Sequence, residues 1–169
     1  VYLTKSGTEC VNAVTWALEV GYRHIDTARI YGNENEVGEA VRNFGINREE
    51  VFITTKLWND DHGYGSALKA FDKSLKTLNV DYIDLYLIHW PVKGKRKESW
   101  KALEKIYESG YCRSIGVSNY QINHLNELFS YANIIPVIDQ VEFSPYNYQK
   151  DLLDFCNKNK IILEAYSPL

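Results

Sequence analysis

The chain of 169 residues contains no methionine, and its three cysteines, Cys10, Cys112 and Cys156, stand far apart. They form no CxxC pair and have no histidine at metal-ligand spacing. That argues against a disulfide framework or a zinc site, and for a reducing compartment, read here as the cytoplasm. No apolar run is long enough to span a membrane, and no signal-peptide pattern opens the chain. Without a methionine, Val1 is not a natural translation start, and Ser167-Pro168-Leu169 stop directly after an apolar run, so both ends are expected to be cut. An excess of charge is also missing: the formal net charge of −3 gives no electrostatic case for nucleic acid or an anionic membrane. The local exception is residues 93–97, where four of five are basic. The run is short and has no interleaved aromatics, so it reads as a solvated loop. Finally, there is no GxGxxG, the glycine-rich phosphate loop that opens a doubly wound dinucleotide domain.

What is present is a rhythm of short apolar runs, each leading into a polar residue. Residues 23–25 run into Asp26, 51–55 into Lys56, 82–88 into His89, and 112–117 into Ser118 and Asn119; 136–139 reach Gln140, and 161–165 reach Tyr166. Between them lie helical stripes such as Leu68, Phe71, Leu75 and Leu78, or Trp100, Leu103, Ile106 and Tyr107, several closed by glycine. Strands that are apolar on both faces and alternate with helices imply a parallel sheet with right-handed crossovers. Two architectures fit, an open doubly wound sheet or a (β/α)8 TIM barrel. The missing glycine loop and the spread of polar residues over many strand ends favour the barrel. Six strands are counted, and a complete barrel needs about 250 residues. The expectation is therefore one α/β domain over residues 1–169, an incomplete barrel lacking its first strand and its C-terminal part.

Four of the polar residues suggest chemistry. A free tyrosine has a pKa of about 10 and is a reluctant acid at neutral pH. A lysine ammonium beside it stabilises the phenolate, and a carboxylate keeps that lysine charged and oriented. A histidine facing the same point can orient a carbonyl oxygen. Asp26, Tyr31, Lys56 and His89 supply this set, suited to giving a proton to an oxygen while hydride reaches the adjacent carbon. Taken singly, each has a plainer reading: an Asp–Lys pair is commonly structural, and a strand-end histidine is commonly a core residue. Their joint occurrence carries the functional reading.

These residues also resemble a family. GYRHIDTARIYGNENEVG at 21–38, TKLW at 55–58, LIHWP at 87–91, GVSN at 116–119 and AYSPL at 165–169 are similar, in order and approximate spacing, to the aldo-keto reductases. The similarity is strongest to reductases of the prostaglandin F synthase or 2,5-diketo-gluconate reductase kind. The resemblance implies an oxidoreductase that reduces aldehydes and ketones with NADPH, NADH being possible, acting as a monomer on small carbonyl compounds without metal. It implies Tyr31 as general acid, Lys56 and its partner Asp26 as modulators, and His89 as carbonyl orienter. Ser118, Asn119 and Gln140 would hold the nicotinamide carboxamide, Tyr166 would stack on the ring, and Ser167 and Leu169 would begin the loop over the pyrophosphate. Trp58 and Trp90 would wall the substrate pocket, with packing at the barrel rim as their alternative. Asp139 stands where the family commonly has asparagine. The basic segment that grips a 2′-phosphate lies outside the sequence. A non-catalytic NADPH-binding module and an inactive fragment remain as alternatives.

Overall fold

In the computed structural model, which describes residues 4 and 6–169, six strands alternate with six helices. The strands are β1 (His24–Asp26), β2 (Phe52–Leu57), β3 (Ile83–Ile88), β4 (Cys112–Ser118), β5 (Ile138–Glu142) and β6 (Ile162–Tyr166). Before β1 lies α1 (Thr8–Glu19), and the crossovers carry α2 (Glu34–Phe44), α3 (Tyr64–Leu78), α4 (Arg96–Glu108), α5 (Ile122–Phe129) and α6 (Lys150–Lys158). All five strand pairs are parallel and the order in the sheet is the order in the chain. An open doubly wound sheet would reverse that order at a switch point.

Sequential order alone does not curl a sheet; a side-chain contact shows that this one is curled. Gln140 Nε2 on β5 lies 2.9 Å from Asp26 Oδ2 on β1. Four inter-strand steps in a flat sheet span about 19 Å, far beyond side-chain reach. The sheet is therefore bent into an arc, an incomplete (β/α)8 barrel. Its outer surface and the helices share the main core, which includes Val14, Val37, Ile53, Tyr86, Trp100 and Leu103. A second small cluster, Leu85, Leu87 and Ile138, fills the concave side.

Local chemistry sets the element ends. Gly45 takes a left-handed conformation after α2 (φ 74°), and Asn79 does so after α3 (φ 52°). The α3 stripe is flatter than the leucine spacing predicts. Ala67, Ala70, Phe71, Ser74 and Leu78 are the buried positions, while Leu68 and Leu75 are only partly covered. Small residues at the centre of the face let α3 sit close to its neighbours, and the large leucines flank the contact.

Two expectations need correction. The fifth strand begins at Ile138 rather than at Pro136, and Gln140 lies inside it. Proline has no N–H to give a ladder, so pairing starts beyond it. Residues 93–97 are not wholly a loop, because Arg96 opens α4. Its guanidinium donates to Glu127 on α5 and to the Pro91 carbonyl, 3.0 Å away, which fixes the start of that helix.

Candidate active site

Parallel strands present their C-terminal ends to one rim, where the chemistry of such folds sits. Lys56 is the centre of that rim. In β2 side chains alternate, so Ile53, Thr55 and Leu57 face the helices while Thr54 and Lys56 face the concave side. The Lys56 side chain is 1% exposed. Its ammonium donates to Asp26 Oδ1 at 2.5 Å and to the Thr27 carbonyl at 2.9 Å. Burial lowers the Lys56 pKa, opposed by the charge and hydrogen bond of Asp26 and then by the charge of Glu164.

Tyr31 does not lie on a strand. It closes a 3-10 turn, Arg29–Tyr31, five residues beyond Asp26 on β1. The turn swings its ring back over the rim, with the Lys56 ammonium 5.3 Å from the ring centroid. The His89 imidazole stands edge-on to the same ring at 5.8 Å. His89 is buried, and its Nδ1 has no hydrogen-bond partner among the described residues. Burial first, then the Lys56 charge, depress its pKa to about 4, so the ring is neutral at pH 7. The four residues singled out for proton transfer thus meet at one point.

The two tryptophans differ. Trp58 packs edge-on against His89 at 5.2 Å and is half-buried. Trp90 stacks beside His89 at 6.4 Å and is 42% exposed. The turn following Trp58 is tied down twice at its C-terminal end: Asp61 pairs with Arg29 on the tyrosine turn, and His62 Nδ1 lies 3.0 Å from Ser99 Oγ on α4.

Across the arc, Ser118, Asn119, Gln140 and Tyr166 form a linked row. The Ser118 hydroxyl donates to the Gln140 carbonyl at 2.7 Å, and Asn119 Nδ2 donates to the His89 carbonyl at 2.9 Å and to Ser118 Oγ at 3.1 Å. The Tyr166 hydroxyl donates to Asn119 Oδ1 at 2.9 Å. Asn119 holds φ at 61°, a left-handed conformation that asparagine tolerates better than most residues. This turn aims its amide back along β3. Ser167 also has positive φ (48°) and is exposed, as is Leu169; among the described residues no hydrogen bond ties either to the row.

Sequence reasoning missed two groups here. Glu164 accepts from Gln140 Nε2 at 2.7 Å, so a second carboxyl group joins Asp26 at the rim. Glu164 and Tyr166 are two residues apart on β6 and so share a face, a parity signal that was available in the sequence. The other is the Thr27 carbonyl, a backbone atom with no sequence signature. Asp139, the departure from the family pattern, points the other way, toward the helices. Its Oδ1 lies 3.4 Å from the Tyr120 N–H, and burial pushes its pKa up to about 8. Among the described residues no cluster of acids, histidines and cysteines could hold a metal ion, and no helix is long and apolar enough to cross a membrane.

A model of the aldo/keto reductase family matches residues 3–169. The chain belongs to the aldo-keto reductase family. It is 53% identical to the glyoxal reductase of Bacillus subtilis (strain 168) over 169 residues, all of this chain and 61% of that protein. An aldo/keto reductase from Brucella melitensis superposes with a TM-score of 0.95 at 51% identity, covering 98% of this chain and 65% of its own. The Bombyx mori aldo-keto reductase, solved in complex with NADP, superposes with a TM-score of 0.90 at 41% identity, covering 98% of this chain and 59% of its own. The chain therefore spans about three-fifths of the length of these relatives.

Proposed function

We propose that the protein carrying this chain is an NADPH-dependent reductase of small aldehydes and ketones, with NADH as a possible second donor. The observation that carries the reading is the buried Lys56 ammonium, held by Asp26 and the Thr27 carbonyl beneath the Tyr31 ring. A buried amine so placed has little structural value, since burying an ion pair gains little net stability. Beside a phenol it has a chemical use, because a positive charge favours the phenolate.

The rim fits the nicotinamide end of such a cofactor. Ser118, Asn119 and Gln140 present neutral polar atoms in one row, and the Tyr166 ring is half-buried beside them. Those four residues would hold the carboxamide and the ring, and Ser167 and Leu169 would begin the cover of the pyrophosphate. When bound, the reduced cofactor supplies the hydride. The Tyr31 hydroxyl gives its proton to the substrate oxygen, and the Lys56 ammonium stabilises the phenolate left behind. Asp26 keeps that ammonium charged and points it at the ring. His89, neutral at pH 7, donates a hydrogen bond to the substrate oxygen without competing as an acid. Trp58 and Trp90 offer flat apolar walls suited to unhydrated carbonyl compounds.

The test is Tyr31→Phe in the native-length protein. Turnover of a reactive aldehyde with NADPH should fall on the order of 10²-fold or more, with NADPH affinity retained. Wild-type turnover by this variant would remove Tyr31 from the role of acid.

A further inference from the structure

The row that faces the nicotinamide end in the reading above has an unusual hydrogen-bond balance. An amide nitrogen has two N–H donors, and those of Gln140 are both used: one goes to Asp26 Oδ2 at 2.9 Å, the other to Glu164 Oε1 at 2.7 Å. The two donors of Asn119 go to the His89 carbonyl and Ser118 Oγ, and the Ser118 hydroxyl goes to the Gln140 carbonyl. Every side-chain donor of the three residues is thus occupied by protein. What the row leaves for a ligand is acceptors, above all Gln140 Oε1, which accepts no hydrogen bond among the described residues.

Glu164 decides this. With Asp26 alone beside it, one N–H of the Gln140 amide would be unspent, and turning over would set the amide oxygen against a single carboxyl group. With a carboxyl oxygen on each side of the nitrogen, turning over would set the amide oxygen against two acceptors. Gln140 itself is 5% exposed, so its turned amide would find little solvent of its own to relieve that repulsion. The orientation is therefore locked with the nitrogen inward and the oxygen toward the ligand.

We infer that Glu164 is a positioning residue that locks the Gln140 amide and so makes the site select a ligand group carrying an N–H donor, the carboxamide NH2, over an isosteric group with none. This rests on the nicotinamide reading of the site and deepens it. Glu164 touches neither substrate nor the reacting atoms in this role; it acts through Gln140.

The experiment uses two dinucleotides that differ only at this group: NADP with its carboxamide, and the analogue in which an acetyl group replaces it. The acetyl group keeps the carbonyl and loses the N–H. Affinities for both are measured by fluorescence titration on the native-length wild type and on Glu164→Leu and Glu164→Gln. The wild type should prefer the carboxamide by about tenfold or more, the cost of leaving a buried acceptor unpaired. In Glu164→Leu the freed amide can offer a donor to the acetyl carbonyl, and the preference should shrink to about threefold or less. Glu164→Gln can still accept from Gln140 and should retain most of it. A merely structural role for Glu164 would weaken both ligands equally and leave their ratio alone. Equal preference in wild type and Glu164→Leu therefore overturns the inference while leaving the nicotinamide reading intact. If the wild type binds neither dinucleotide, that reading fails and the inference with it.

Discussion

Replacing Lys56 by methionine should separate chemistry from stability more cleanly than any other change in this chain. The side chain is 1% exposed, and its ammonium makes two hydrogen bonds, 2.5 Å to Asp26 and 2.9 Å to the Thr27 carbonyl. Hydrogen bonds to a charged group are worth about 1.5–3 kcal/mol each, but burying an ammonium costs several kcal/mol, and the two nearly cancel. The methionine chain reproduces most of the lysine stem. Asp26 keeps its bond to Gln140, and its side chain is 29% exposed, so water can solvate the carboxylate left behind. The expected change in unfolding free energy is within about 2 kcal/mol of zero. Catalysis has no such compensation. Without the ammonium the Tyr31 phenol loses its neighbouring charge, and turnover should fall on the order of 10²-fold or more. In the alcohol-oxidation direction, where the phenolate acts as base, the pH for half-maximal rate should move upward toward the free-phenol value of about 10. Paired measurements of melting temperature and of turnover against pH check this. A variant that keeps wild-type turnover at unchanged pH dependence refutes the assignment of Lys56, whatever its stability.

Three further outcomes follow from the geometry. At Gly38 on α2 an added Cβ would lie 1.9 Å from the Leu78 carbonyl oxygen, so Gly38→Ala should cost at least the ~1–3 kcal/mol typical of overpacking. An unchanged denaturant midpoint would mean that α2 does not pack on the end of α3 as described. His62 and His89 are both held near pKa 4 by burial, below the unfolded value of about 6.5. Between those values each histidine binds more protons in the unfolded chain, so its own contribution to stability is full above about pH 6.5 and declines as pH falls toward 4, by up to about 3 kcal/mol. Asp139, pushed up to about 8 by burial, acts in the opposite sense over the same range. His62→Gln should lower the slope of stability against pH between about 4 and 6.5 by one histidine's share, about one proton, in urea midpoints, whereas an identical slope would place the loss elsewhere. Trp58→Ala removes the wall packed on His89, and should raise KM for flat aromatic aldehydes about threefold to tenfold while sparing the smallest aldehydes. Equal effects on both would make Trp58 a rim-packing residue only.

How much of this was legible depended on what kind of information each group carries. Asp26, Lys56 and His89 were readable because a polar residue closing an apolar run has few reasons to be there, and parallel strands bring such residues to one rim. Tyr31 was not readable as a strand end, since it reaches the rim through the turn Arg29–Tyr31; it joined the set as the phenol that the other three would serve, and the family resemblance agreed. The start of β5 was misread because apolar content extends back to Pro136, whereas a ladder needs donors. The pairing of Asp61 with Arg29 and the contact of His62 with Ser99 joined loops to distant elements, and no local pattern announces such contacts.

Glu164 shows where pattern reading could have gone further. Residues of a strand alternate between faces, so once Tyr166 is placed on the concave side, Glu164 and Ile162 must follow it there. A carboxyl group on the concave face of a barrel is costly unless something donates to it. That demand could have been stated from the sequence. Its answer could not, because the donor is Gln140, whose other hydrogen bond reaches across the curl to Asp26, 114 residues away in the chain. The arc of the sheet is what makes one amide serve two carboxyls from opposite edges, and the same amide then faces the site with its oxygen alone. The ligand polarity inferred for the site is in this way a consequence of the curvature.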